Sequence, residues 1–137
     1  ALNYAGHGGG SMAGLRRLFR RVYAALEPGG LFVFDLQSPG RLGVMPPRSW
    51  QQGEGWLTCI DRRDDRRART ITRRIVCLRR IGKLWRRSEE THVQRVYEPV
   101  AVLAALRRVG FRAQVRLGYG DFSLGRGHKL YIARKPR

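Results

Sequence analysis

The sequence predicts an α/β fold carrying an inserted antiparallel β sheet, and three observations predict it. A helical period over residues 12–26 breaks at Pro28-Gly29-Gly30 and gives way to the continuous apolar run Leu31-Phe32-Val33-Phe34-Asp35-Leu36. Between residues 56 and 97 the pattern becomes extended, in three stretches separated by turn residues. Helical period then returns at Val100, Leu103, Ala104 and Leu106, ahead of two more short strands.

Taken in order, residues 1–10 read as a loop, with Gly6 and Gly8 to Gly10 clustered in it. Ser11 suits the N-cap of the first helix, because its hydroxyl accepts from a free backbone N–H of the first turn. Met12, Leu15, Leu18, Phe19, Val22, Tyr23 and Leu26 then recur at spacings of three and four, and Arg16, Arg17, Arg20 and Arg21 fall mostly on the other side. Proline cannot continue the helix, and the glycines accept the turn that follows. The run 31–36 fits a strand buried on both faces, as in a sheet covered by helices.

Residues 37–53, rich in Pro, Gly and Ser, are expected to be loop. Residues 56–62, 69–80 and 84–97 are expected to be strands, with turns at Arg63-Asp64-Asp65 and Ile81-Gly82-Lys83. In the last of them Trp85, Arg87, Glu89, Thr91, Val93, Arg95 and Tyr97 share one face; Leu84, Arg86, Ser88, Glu90, His92, Gln94 and Val96 share the other. Neither face is cleanly apolar, which suits a flap over a cavity better than a core sheet. Gly110 ends the second helix, residues 111–117 alternate as a half-buried strand, Gly118 to Asp121 begin a loop, and 129–134 form the last strand. This gives a core of residues 1–53 and 98–137 interrupted by a β insert at 54–97. Strands 31–36, 111–117 and 129–134 are expected in one sheet of a three-layer arrangement.

The net charge of +18, from 28 Lys and Arg against 10 Asp and Glu, invites a polyanion-binding reading. Yet the arginines come in pairs spread over helices and strands, and lysine occurs only at Lys83, Lys129 and Lys135. Weak, non-specific nucleic-acid binding is the most this pattern predicts; a stand-alone basic module is the rival to an enzyme. No apolar run approaches a membrane span and no secretory leader is visible. Cys59 and Cys77 form no C-x-x-C pair and do not cluster with His7, His92 or His128, so no metal site is expected, and reduced thiols suit a cytoplasmic protein. Gly9-Gly10-Ser11-Met12-Ala13 falls short of a hydrolase nucleophile elbow, because Ala13 replaces the final glycine and no strand leads into Ser11. The first residue is Ala1 rather than Met, as in a piece of something longer.

Four residues stand out chemically. Asp35 ends a buried strand, at the edge where open α/β sheets bind ligands. Glu90 and His92 lie two apart on one strand face, where a carboxylate beside an imidazole accepts or orients a substrate proton. Tyr119, between two glycines, is placed to line a pocket.

The order of these elements, with the wording of several stretches, resembles the second half of the class I S-adenosylmethionine-dependent methyltransferase fold. The stretches are Leu2-Asn3-Tyr4, the turn Leu26 to Gly30 with Leu31 to Asp35, the strand Glu89 to Tyr97, Val109-Gly110-Phe111 and Ala133 to Pro136. The resemblance implies a Rossmann-like sheet whose last strand lies between the other two and runs antiparallel to them, with the insert as substrate lid. It implies methyl transfer to an oxygen or nitrogen of a small molecule, Glu90 and His92 as catalytic pair, Asp35 and Tyr119 against the acceptor, and Asn3 and Tyr4 beside the cofactor. The family's glycine-rich turn after the first strand and the acidic end of the second are missing. The chain alone is therefore expected to be inactive, and its oligomeric state is left open.

Overall fold

A computed structural model describes Leu2, Asn3 and residues 10–137. Helix α1 spans Met12–Ala25 and is capped as its sequence requires, Ser11 Oγ accepting from Gly14 N at 3.0 Å. Its apolar stripe puts Leu15 and Phe19 fully inside. Strand β1 (Leu31–Gln37) follows the Pro-Gly-Gly turn, and helix α2 spans Pro99–Val109, ending at Gly110, whose φ of 116° is open to glycine.

Three strands make the main sheet: β1, β6 (Arg112–Arg116) and β9 (His128–Arg134). Their order is β1-β9-β6 and β9 is antiparallel to both neighbours, the arrangement expected of the last strand. Both helices pack on one face, where Phe34 lies between the rings of Phe19 at 5.5 Å and Tyr131 at 5.1 Å, with Leu36, Val102, Leu106 and Ala133 around them. Each large side chain fully buried here contributes about 1.5–3 kcal/mol.

The other face differs from expectation. Leu31, Val33 and Asp35 alternate with the buried Phe34 and Leu36, and all three are exposed. Among the described residues the helices form a single layer, so the arrangement has two layers rather than three and β1 is buried on one face only. An apolar run reads the same whether one face or both are covered; only the second layer decides, and no described element supplies it.

The insert is a four-stranded antiparallel meander, β2 (Arg48–Gly53), β3 (Trp56–Asp65), β4 (Thr70–Ile81) and β5 (Leu84–Arg95), in sequence order. Two expectations need correction. Residues 48–53, expected as loop, are a strand because they pair along β3 from Arg48–Asp61 to Gly53–Trp56. Residues 63–65, expected as a turn, extend β3, and the chain turns instead just before Thr70, with Arg69 at φ 55°. The outer strands of the meander are largely exposed and the central two largely half-buried; among the described residues its buried apolar cluster lies at the base, where Ile71, Val96 and Leu42 meet. The segment after β6 carries a small hairpin, β7 (Gly118–Tyr119) with β8 (Phe122–Ser123), rather than plain loop.

Candidate active site

The main sheet and the meander are joined at the C-terminal ends of β1 and β5. Asn3 sits between them, 8% exposed. Its Nδ2 donates to Arg95 O at 2.7 Å, its Oδ1 accepts from Gln37 N at 3.3 Å, and its carbonyl accepts from Arg95 N at 2.7 Å. Tyr97 N donates to Gln37 O at 2.9 Å beside it. One short side chain thus ties the two sheets together.

At the same end of β1, Asp35 lies beside Tyr119 of the β7–β8 hairpin. Partial desolvation, then the charge and hydrogen bond of Asp35, hold the Tyr119 hydroxyl above the ordinary phenol range. A shallow depression of about 550 Å³ runs from Tyr119 and Gly118 over Val33, Leu130 and Ile132 on the open sheet face. His128 pairs across from Gln37, and so shares that face with Asp35. Burial, then the charge of Arg41, push the His128 imidazole down; Asp35 opposes them. Its Nδ1 is buried without a partner among the described residues.

A short 3-10 turn, Pro39–Arg41, leads from β1 toward the meander. There Arg62, 8% exposed, grips Asp64 through Nε at 2.7 Å and Nη2 at 3.0 Å, and also donates to Arg41 O at 3.0 Å. Gly43 N donates to the same carboxylate at 2.6 Å. Burial alone would raise the Asp64 carboxyl; the hydrogen bonds from Arg62 and Gly43 with the charges of Arg62 and Arg41 outweigh it and leave it lowered. On this face of the meander the register sets Arg62 opposite Arg73, and Arg73 opposite His92. His92 Nε2 lies 2.8 Å from a Glu90 oxygen. Imidazole and carboxylate therefore form one hydrogen-bonded unit on the face that turns inward at Arg62.

Comparison with solved structures identifies the architecture. An S-adenosylmethionine-dependent methyltransferase from Clostridium acetobutylicum superposes over 93% of this chain and 53% of its own, with a TM-score of 0.79 at 17% identity. The chain has the fold of the C-terminal half of a methyltransferase. A sugar N-methyltransferase from Streptoalloteichus matches over 93% of this chain and 51% of its own, with a TM-score of 0.70 at 22% identity. An amino pentose methyltransferase from Micromonospora echinaspora matches over 91% and 52%, with a TM-score of 0.63 at 18% identity. No family model and no curated protein sequence matches the chain. The chain spans about half the length of these methyltransferases.

Within that fold, the residues singled out in the sequence fall into two pairs and a joint. Asp35 meets Tyr119; Glu90 meets His92; Asn3 fastens the strands that carry them. Tyr4 and the glycines Gly6, Gly8 and Gly9 lie outside the described residues. Sequence reasoning missed Arg41, Arg62, Asp64, Arg73 and His128, which link the pairs. The i, i+2 spacing of Arg62 and Asp64 was the one available signal, since in a strand it puts both on one face. Among the described residues no three His, Cys, Asp or Glu gather as a metal would need, and no helix is long and apolar enough to cross a membrane.

Proposed function

We propose that this chain is the acceptor-binding half of an S-adenosylmethionine-dependent methyltransferase that methylates an oxygen or nitrogen of a small molecule. The observation that carries the reading is the 2.8 Å Glu90–His92 unit on a lid joined by Asn3 to the strand end that holds Asp35 and Tyr119. An acceptor amine or hydroxyl must lose a proton as it is methylated. Glu90 hydrogen-bonds the imidazole and orients it, so that His92 is placed to take that proton. Asp35, beside Tyr119, offers an acceptor for a second hydroxyl or amine of the substrate and fixes its orientation.

The described residues do not by themselves fit the cofactor. The Asn3 amide, expected beside it, is consumed on both sides by the joint, and the open face of β1 presents Leu31 and Val33 rather than a polar donor set. Two free thiols, Cys59 and Cys77, accord with a cytoplasmic setting. The scattering of arginine over both layers supports only weak, salt-sensitive contact with nucleic acid.

The test uses the longest reading frame that carries this sequence. Labelled methyl should pass from S-adenosylmethionine to small amines or alcohols, and Glu90→Gln or His92→Asn should lower kcat by roughly 10²–10⁴-fold. The 137-residue chain alone should show no micromolar affinity for the cofactor in calorimetric titration. Transfer unaffected by both substitutions would overturn the assignment of the pair, and tight binding by the isolated chain would place the cofactor here.

A further inference from the structure

The meander has a second face, turned away from Glu90 and His92, because successive residues of a strand point to opposite sides. On that face the ladder register sets Trp50, Cys59 and Val76 side by side across β2, β3 and β4, with Leu57 and Leu78 paired in the adjoining row. Trp50, Leu57, Cys59 and Val76 line a depression of about 510 Å³. Among the described residues nothing covers Trp50 or Cys59, and Trp50 stands 64% exposed. A tryptophan can bury about 150–250 Å² of surface, so one left in water beside an apolar depression is an unused anchor. The border of the patch carries both signs of charge. Arg48, Asp61 and Arg74 alternate in the row on one side, and Glu89 on β5 pairs with Arg74 and with Arg87.

We propose that this face is the subunit interface of a homodimer, in which the meanders of two copies stack face to face and leave the Glu90–His92 face of each open. An apolar centre calls for an occupant with apolar surface of its own. The carboxylates of Asp61 and Glu89 sit where a nucleic acid or an acidic bilayer would need cations, although the chain as a whole carries +18. The occupant has to present both signs around an apolar centre, and a second copy of the same face does so. A row reading cation, anion, cation meets its own copy with unlike charges in contact once the two are offset by one strand. Stacked sheets lie about 10 Å apart with their inner side chains interdigitated. Each Trp50 then fills the partner's depression, a reciprocal contact of the kind a two-fold axis generates. Four strands about 4.8 Å apart, with ten residues of about 3.3 Å each in β3, give a face of about 600 Å². Two such faces reach about 1,200 Å², the lower bound of a specific interface. The proposal stands on this face alone and does not depend on the methyltransferase reading.

Sedimentation equilibrium of the intact chain tests it. A monomer–dimer equilibrium with Kd on the order of 1–100 µM is expected from an interface of this size. It should tighten as sodium chloride rises from about 0.1 to about 0.5 M, because salt screens the repulsion between two +18 chains and leaves apolar contact in place. Trp50→Ala should raise Kd by about thirtyfold or more, the loss expected of an interface anchor. Cys59→Lys, a charge placed at the centre of the patch, should do the same. Val100→Ala removes a 79% exposed apolar side chain from α2 and should change Kd by less than about twofold. All three positions are exposed, so circular dichroism should show the variants folded. A chain that stays monomeric at about 0.5 mM in the higher salt overturns the proposal. So does a dimer that both Trp50→Ala and Cys59→Lys leave intact, or one that dissociates in Val33→Asp instead, which puts the contact on the open face of the main sheet. A dimer that weakens as salt rises also overturns it, since such a contact is held by charge.

Discussion

Replacing Asp64 by Leu isolates the value of the ion pair at the base of the meander. The side chains of Arg62 and Asp64 are 7% and 15% exposed, so the pair is well out of water. Truncating one partner of such a pair costs about 3–5 kcal/mol, because the charge left behind is buried and uncompensated. Here the stranded group is Arg62, with Arg41 and Arg73 as its charged neighbours, and Gly43 N also loses its acceptor. Against a total stability of roughly 5–15 kcal/mol this is a large fraction, and it corresponds to a fall in Tm on the order of 10–20 °C. Urea denaturation followed by circular dichroism measures it. Arg62→Met/Asp64→Leu should recover most of the loss, since an apolar pair of similar volume fits the same space. A loss below about 1 kcal/mol in the single variant would refute the reasoning, because a pair that cheap behaves as a solvated surface pair. The same carboxylate contributes to acid stability. Its folded pKa is depressed, so its contribution is present above the unfolded value near 4 and is lost as pH falls through the lower folded value.

Three further outcomes follow from the joint and its surroundings. Gly127→Ala should destabilise by more than about 2 kcal/mol in chemical denaturation, since Gly127 has φ 82° and a Cβ there would come within 2.4 Å of Arg41 N. Asn3→Ala removes both side-chain bonds of the joint and should cost about 1–3 kcal/mol, with faster hydrogen exchange at Gln37 and Arg95 than elsewhere on their strands. The depressed His128 pKa makes the unfolded chain bind the extra proton first, so stability should decline as pH falls below about 6.5, and His128→Gln should flatten that decline.

Local periodicity carried most of the architecture. The stripe of α1, the stop at Pro28, the run of β1 and the cap at Gly110 each depend on neighbours within a turn or two, and each stands where the residues put it. What failed depends on residues far apart. Arg48 to Gly53 has no apolar alternation of its own and becomes β2 only because β3 is there to pair with it. The exposure of Leu31 and Val33 reflects what does not cover them, which no property of the run itself encodes. The same division holds at the site. Glu90 and His92 were legible because they share one strand face, whereas the nearness of Arg41 to Arg73 needs a turn, two strands and their register.

The meander is held largely by main-chain ladders, with its buried apolar cluster, among the described residues, at its base. Its exposed positions above that base can therefore exchange one residue for another at a stability cost within about 0.5 kcal/mol. Under the methyltransferase reading, acceptor preference is free to drift along that surface. The packing under α1, which fixes where the surface sits, need not change with it.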